Sequence, residues 1–183
     1  EVDPADKKIY ALRDVTGTVD CIPLIATSIM SKKIATGSDA ILLDVKYGSG
    51  AFFASPKDSI ELAKCMVEIG NSLGRDTKAV ISNMDQPLGN AIGNNLEVKE
   101  VIDTLKGHGP EDLVELCVSS GSIMLMQAKL YDDIEKAKLD LRETLKDGRA
   151  FNKFKEFVNA QHGDVRYIDN PSLFKTSKNI RFT

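Results

Sequence analysis

The chain has 183 residues and a formal net charge of −3, and 42% of its residues are hydrophobic and 28% charged. This balance is typical of a globular domain and excludes a disordered or fibrous chain. The slight acidity argues against nucleic-acid binding, which needs a basic surface. No apolar run approaches the ~20 residues of a membrane span. The length predicts one domain, and the start at Glu1, without Met or a signal peptide, fits a processed chain or a piece of a longer one.

The first elements in chain order are predicted to be an extended segment from Lys7 and then a helix that ends near Gly37. Pro23 suits the first turn of that helix, where its missing N–H costs nothing. Lys32 and Lys33 fall in the last turn, where positive charges interact favourably with the helix dipole.

Two short apolar runs with a long periodic segment between them predict a βαβ unit. The first run, at 39–46, reads as a strand buried on both faces, and the second strand is at 78–82. Ser55-Pro56 begins a helix between them, and Gly74 ends it. Further helices are predicted at 96–105, 110–130, 134–146 and 149–160, and the polar residues from Lys175 on read as a linker. The pattern predicts an α/β fold with a central parallel or mixed sheet flanked by helices.

The cysteines and histidines do not form a metal or disulfide pattern. Cys21, Cys65 and Cys117 are odd in number and contain no CxxC pair, which predicts buried free thiols in a reducing cytoplasm. His108 and His162 lie beside glycines, with no cysteine or second histidine at ligand spacing.

Polar side chains recur at helical spacing in the first forty residues. Tyr10 and Arg13 are three apart, and Ser28 and Lys32 are four apart on one helix face. Arginine and lysine together can bind an anion or a developing negative charge. The alternative, which spacing alone favours, is a solvated helix end with a surface pair between Arg13 and Asp14.

Two loops offer backbone groups to a ligand. The glycine loop at 48–50 follows a predicted parallel strand, where ligands bind in α/β sheets, and its N–H groups could cradle phosphate. The Rossmann and P-loop patterns are absent, so a flexible turn is the alternative. The loop at 85–94, with Glu100 beyond it, offers oxygens that suit a hard cation, or its asparagines simply favour left-handed turns.

Taken together, these segments resemble the pyrimidine-nucleoside phosphorylases, a family that includes thymidine phosphorylase. The resemblance covers essentially the whole chain in order, through residues 8–20, 28–33, 44–52, 86–94, 97–100, 109–112 and 147–150. Members of this family convert a pyrimidine nucleoside and phosphate reversibly to free base and pentose 1-phosphate. The resemblance therefore implies a cytoplasmic, homodimeric pentosyltransferase of nucleoside salvage that acts on thymidine, uridine or deoxyuridine, with phosphate as co-substrate.

The same resemblance implies roles for individual residues. It implies a substrate-binding set of Tyr10, Arg13, Val19, Ser28, Lys32 and Phe52. Arg13 and Lys32 would be catalytic, because they would stabilise charge on the departing pyrimidine, while Ser28 would hold a ring N–H or exocyclic oxygen. It also implies a K⁺ site formed by the carbonyls of Leu88 and Ala91 and the carboxylate of Glu100.

The resemblance finally implies an internal fragment. Residues 1–37 would end the family's helical domain and carry the pyrimidine contacts, and residues 38–183 would form part of the α/β domain. The phosphate-binding segment of the family precedes the matching region, so the chain alone is expected to be inactive. Two alternatives are a fold related to anthranilate phosphoribosyltransferase, against which the spacing Arg-x14-Ser-x3-Lys argues, and a non-catalytic pyrimidine-binding or interaction module.

Overall fold

The structure, a computed structural model, describes residues 3–175. They form eight α-helices, two β-strands and a short 3₁₀ turn at Pro171–Leu173. The elements are α1 (Pro4–Thr16), α2 (Ile22–Ala35), β1 (Ala40–Tyr47), α3 (Pro56–Ser72), β2 (Asp76–Asn83), α4 (Asn94–Thr104), α5 (Glu111–Gln127), α6 (Ile134–Lys146), α7 (Arg149–Ala160) and α8 (Arg166–Asp169). Within the described range, no helix is both long enough and apolar enough to cross a membrane.

The chain divides into two compact units. The first contains the residues up to Gln86 together with Ile123–Asp132, and the second contains Pro87–Ser122 together with the residues from Asp133 on. Helix α5 therefore supplies residues to both units.

The sheet of the first unit confirms the predicted βαβ unit and the α/β class. β1 and β2 pair in parallel, from Ala40 opposite Asp76 to Tyr47 opposite Asn83, and α3 joins them and packs on both. The prediction that β1 is buried on both faces is wrong, because its exposure alternates and Asp44 points to solvent. The hydrophobic core lies on the other face and comprises Ile25, Ala26, Met30, Ile41, Leu43, Val45, Leu62, Ala63 and Met66.

Helix α3 begins and ends as its sequence predicts. The hydroxyl of Ser55 accepts the N–H of Lys57 at 3.1 Å, and Pro56 occupies the first turn. The helix then approaches β2 closely at Gly70, where a Cβ would lie 2.0 Å from Oγ1 of Thr77. Glycine at this position thus allows α3 to pack against the strand that follows it.

The extended segment predicted from Lys7 is wrong, because Pro4–Thr16 form helix α1. The side chain of Asp3 caps the helix by accepting the N–H of Asp6 at 3.0 Å. Gly17 ends it in the left-handed conformation, with φ of 66°. These capping residues mark both ends of α1 in the sequence, although its apolar residues do not.

The second unit consists of the predicted helices. Helices α6 and α7 have the predicted bounds, and α4 and α5 differ from theirs by a few residues. The side chain of Asp133 caps α6 by accepting the N–H of Glu135 at 2.9 Å. The fully or largely buried apolar side chains of this unit are Ile102, Val114, Val118, Ala137 and Ile168. Most of the predicted polar linker, residues 176–183, lies outside the described residues.

The prediction of buried thiols is wrong for two of the three cysteines. Cys21 and Cys117 are exposed and Cys65 is half-buried. In α5 the buried positions are Val114, Val118 and Ser122, and Cys117 lies beside that stripe rather than on it. All three cysteines lie in the described range, and none forms a disulfide.

Candidate active site

The side chain of Arg13 stabilises the turn that joins α1 to α2 through hydrogen bonds to backbone carbonyls. It is only 4% exposed. Its Nε donates to the carbonyl of Thr18 at 3.3 Å, its Nη1 donates to the carbonyl of Leu24 at 3.4 Å, and its Nη2 donates to the carbonyl of Val19. The alternative of a solvated surface pair with Asp14 is therefore wrong, because the guanidinium is buried among backbone carbonyls.

The guanidinium of Arg13 keeps capacity for a further acceptor. An arginine has five N–H donors, and the three carbonyls leave two of them. The ring of Tyr10 lies against the same group, with its centroid 4.9 Å from Cζ, and Tyr10 is 42% exposed. Tyr10 and Val19 thus contact Arg13, the first through its ring and the second through its carbonyl oxygen.

Ser28 and Lys32 meet on one face of α2, as their spacing predicts. The Nζ of Lys32 lies 3.1 Å from the Oγ of Ser28 and 2.5 Å from Oδ2 of Asp6 in the first turn of α1. The sequence prediction did not include Asp6. It stands four residues before Tyr10 and seven before Arg13, a helical spacing that would have placed it at the site had α1 been predicted.

The electrostatics of the cluster favour a charged Asp6. The hydrogen-bonded ammonium of Lys32 lowers the pKa of Asp6 below 3.8, against the opposing effect of burial, and Ser28 adds to the lowering. The pKa of Asp3 is lowered as well, chiefly by a hydrogen bond from Ser31. The capping carboxylate of Asp3 and the carboxylate of Asp6 in α1 therefore face the hydroxyls and the ammonium of α2.

A cavity of about 230 Å³ lies among these groups. Its lining residues are Asp3, Ala5, Asp6, Ile9, Arg13, Leu24, Thr27, Ser28 and Ser31. The structure thus brings Arg13 and Ser28 to one cavity, with Lys32 bonded to Ser28. A space of this size, below that of a drug-sized pocket, suits a single polar ring. Cationic donors beside it can stabilise negative charge that develops on such a ring.

Phe52 lies at a different cavity. It follows β1, is 56% exposed, and packs edge-to-face on Phe53 with ring centroids 5.0 Å apart. With Ile29 and Lys33 of α2 it lines a space of about 330 Å³ beside β1. The cavity at Arg13 is lined by neither Phe52, Tyr10 nor Val19, so the structure does not gather the whole implied set around one space.

The glycine loop after β1, residues 48–51, has no free backbone N–H groups with which to bind phosphate. The backbone N–H groups of residues 48–51 all donate within the protein, three to carbonyls and that of Ser49 to the carboxylate of Asp85 at 2.8 Å. Hydrogen bonds from Asn83 and then Ser49 lower the pKa of Asp85 from 3.8. The loop is an ordered βα turn fixed to the end of β2, which favours the turn over the phosphate site.

The three residues implied in cation binding lie in the second unit. Oε1 of Glu100 accepts the N–H groups of Asn90 at 2.8 Å and Ala91 at 3.2 Å, so this carboxylate closes the loop. At Gly89, which has φ of +70°, a Cβ would lie 2.3 Å from Oε2 of Glu100. The donor set of Glu100 and the carbonyls of Leu88 and Ala91 consists of oxygens, the ligands that a hard cation prefers.

Comparison with known proteins adds to this geometry. A family model described as "Glycosyl transferase family, a/b domain" matches residues 1–151. Among curated proteins, the pyrimidine-nucleoside phosphorylase of Bacillus subtilis is 63% identical over 169 residues, which are 92% of this chain and 39% of the relative. That of Geobacillus stearothermophilus is 59% identical over 177 residues, 97% of this chain and 41% of the relative.

A third relative gives the same proportions. The pyrimidine-nucleoside phosphorylase of Staphylococcus haemolyticus is 58% identical over 174 residues, covering 95% of this chain and 40% of the relative. The chain therefore spans about two-fifths of the length of the curated relatives that it matches.

Proposed function

Because this chain belongs to the glycosyl transferase family, a/b domain, we propose that it carries the pyrimidine-binding part of a pyrimidine-nucleoside phosphorylase. The observation that carries the proposal is the meeting of α1 and α2. There, Arg13 and Ser28 line one cavity and Lys32 is hydrogen-bonded to Ser28. The relatives with about 60% identity to nearly the whole chain support the same activity.

The proposed reaction is phosphorolysis of thymidine, deoxyuridine or uridine. A phosphate oxygen bonds to the anomeric carbon as the glycosidic C–N bond breaks, and the electron pair of that bond leaves with the pyrimidine. The sugar is cationic and the base anionic in the transition state, and the base then takes up a proton. Positive groups beside the base therefore act most strongly in the transition state, which is where stabilisation accelerates the reaction.

The proposal gives separate parts to the residues that the resemblance implies in substrate binding. Lys32 and the two remaining N–H groups of Arg13 stabilise the departing anion, and the hydroxyl of Ser28 holds a ring N–H or exocyclic oxygen. Tyr10 borders the base through its contact with Arg13. Phe52 belongs to the same proposal as an apolar wall, which requires its side chain to move from the cavity beside β1 to the cavity at Arg13 when substrate is bound.

The cation, the assembly and the domain arrangement are further parts of the proposal. K⁺ would be held by the carbonyls of Leu88 and Ala91 and the carboxylate of Glu100. Residues 1–37 would end a helical domain and residues 38–183 would form part of an α/β domain, in an enzyme that acts as a homodimer. Because the chain spans about two-fifths of its relatives' length, we expect the 183 residues alone to release no base.

The test uses the complete gene product, which is the protein translated from the complete reading frame that encodes this chain. We expect it to release free thymine or uracil from the nucleoside only when phosphate is present, with one pentose 1-phosphate formed per base. Guanosine is the matched control, since a site for a single ring should not process a purine nucleoside. Phosphate-independent release, or no release from any pyrimidine nucleoside, would contradict the proposal. Binding of thymine without turnover would indicate a non-catalytic module instead.

A further inference from the structure

We propose that Asp6 is a positioning residue that holds the ammonium of Lys32 in place for the departing pyrimidine. The inference rests on the proposed phosphorolysis and extends it to a residue that the family resemblance did not assign. Asp6 lies on α1 and Lys32 on α2, so the contact is made by the packing of two helices and not by local sequence.

The geometry gives the ammonium two fixed partners. Nζ of Lys32 lies 2.5 Å from Oδ2 of Asp6 and 3.1 Å from Oγ of Ser28. The side chain of Asp6 is 15% exposed and that of Lys32 is 43% exposed, so the pair is partly screened from solvent and remains open on one side. An ammonium has three N–H donors, and these two contacts leave the third for a ligand.

A lysine needs such an anchor because of its shape. Its charge sits at the end of a flexible four-carbon stem, and the ammonium carries no directional fork like that of arginine. An ammonium already held when the glycosidic bond breaks needs no reorganisation as negative charge appears on the base. Asp6 therefore acts through Lys32 and contacts neither the sugar nor phosphate.

Asp6 also has a structural role that the experiment must separate. It lies in the first turn of α1, where a carboxylate stabilises the helix by interacting with the helix dipole. The charged and titratable groups around it are Asp3, which caps its own helix, and Lys32, with Ser28, on α2. A simple loss of activity in Asp6→Asn would not distinguish a weakened helix from a misplaced ammonium, so the readout must depend on the leaving group.

The first arm of the test measures the ion pair in the 183-residue protein. Carboxyl ¹³C NMR should show that Asp6 titrates below the ordinary aspartate range, and that Lys32→Ala raises its pKa. Lys64→Ala, which removes an exposed lysine from α3, is the matched control and should leave the titration unchanged. An Asp6 that titrates at the same pH in the original protein and in Lys32→Ala would overturn the inference.

The second arm compares leaving groups in the complete gene product. Thymidine has a poorer leaving base than 5-fluoro-2′-deoxyuridine, whose fluorine stabilises the anion. We expect Asp6→Asn to lower kcat/KM about tenfold for thymidine, mainly through kcat, and much less for the fluorinated substrate. Asp6→Glu should restore part of the loss, and Asp14→Asn, an exposed acid on the same helix, should match the original enzyme.

The outcomes separate the two proposals. Equal losses on both substrates, or no loss in Asp6→Asn, would overturn the positioning role while leaving the phosphorolysis intact. If the unsubstituted complete gene product is inactive on both nucleosides, the proposed function falls and the positioning role falls with it.

Discussion

Replacing Arg13 by alanine should destabilise the protein by about 3 kcal/mol, because its guanidinium satisfies three backbone carbonyls in a nearly buried position. A hydrogen bond with a charged partner contributes about 1.5–3 kcal/mol. Two of the three bonds are long, at 3.3 and 3.4 Å, so the lower end of that range applies. Thr18, Val19 and Leu24 are half-buried residues, so their carbonyls regain some water in the variant, which lowers the total loss of stability further.

Urea unfolding followed by circular dichroism measures this loss as a lower midpoint at an unchanged slope. Arg13→Lys keeps the charge but can reach fewer carbonyls, so we expect an intermediate loss. Asp14→Ala changes an exposed neighbour on the same helix and should stay within about 0.5 kcal/mol of the original protein. An Arg13→Ala variant that is equally stable would refute the stabilising role of these three hydrogen bonds and would leave ligand binding as the sole role of Arg13.

Three further predictions concern packing, pH and capping. Gly70→Ala should destabilise the protein by about 2 kcal/mol in urea unfolding, because its Cβ would lie 2.0 Å from Oγ1 of Thr77; unchanged stability would contradict that close packing. Because the pKa of Asp85 is lowered in the folded protein, its hydrogen bonds contribute their full stabilisation above pH 3.8, the ordinary pKa of an aspartate. That stabilisation is lost only as the pH falls through the lower pKa of the folded state. The amide NMR shift of Ser49 should follow that loss, and a midpoint at or above 3.8 would show the contact to be absent. Asp133→Ala removes the cap of α6 and should cost about 1 kcal/mol, visible as faster amide exchange in its first turn; unaltered exchange would argue against the cap.

The elements that the sequence predicts best are those in which local signals and core packing agree. In α3, a capping serine, a proline in the first turn and a terminal glycine bracket apolar residues that do face the core. The strands on either side are short apolar runs whose pairing follows from the crossover rule. The exposed side of β1 could not be foreseen, since a continuous apolar run is equally consistent with burial on one face or two.

Helix α1 shows why hydrophobic periodicity does not predict every element of the fold. Its apolar residues Ile9, Leu12 and Val15 are 53%, 62% and 80% exposed, so hydrophobic periodicity does not point to the core. Its one buried residue is Arg13, a charged side chain that pattern analysis assigns to the surface. The helix is marked instead by its caps at Asp3 and Gly17, which carry information only about its ends.

In the candidate site, too, some contacts can be predicted from local sequence and others cannot. The contact between Ser28 and Lys32 follows from helical spacing alone, and the structure contains it. The contact between Lys32 and Asp6 joins residues 26 apart in sequence, so it depends on how two helices pack and is invisible to spacing. The family resemblance implies that Phe52 joins the other site residues, but its position in the structure beside β1 is set by the ordered turn after that strand.

Removing Lys32 probes the proposed pyrimidine site with less risk to the fold than removing Arg13, because the side chain of Lys32 is 43% exposed and holds no backbone turn. In the complete gene product, kcat/KM for thymidine should fall at least tenfold in Lys32→Ala and stay unchanged in the control Lys64→Ala. Both variants should keep the melting temperature of the original enzyme to within a few degrees. Equal kcat/KM in the original enzyme and Lys32→Ala would contradict the pyrimidine site at α1 and α2.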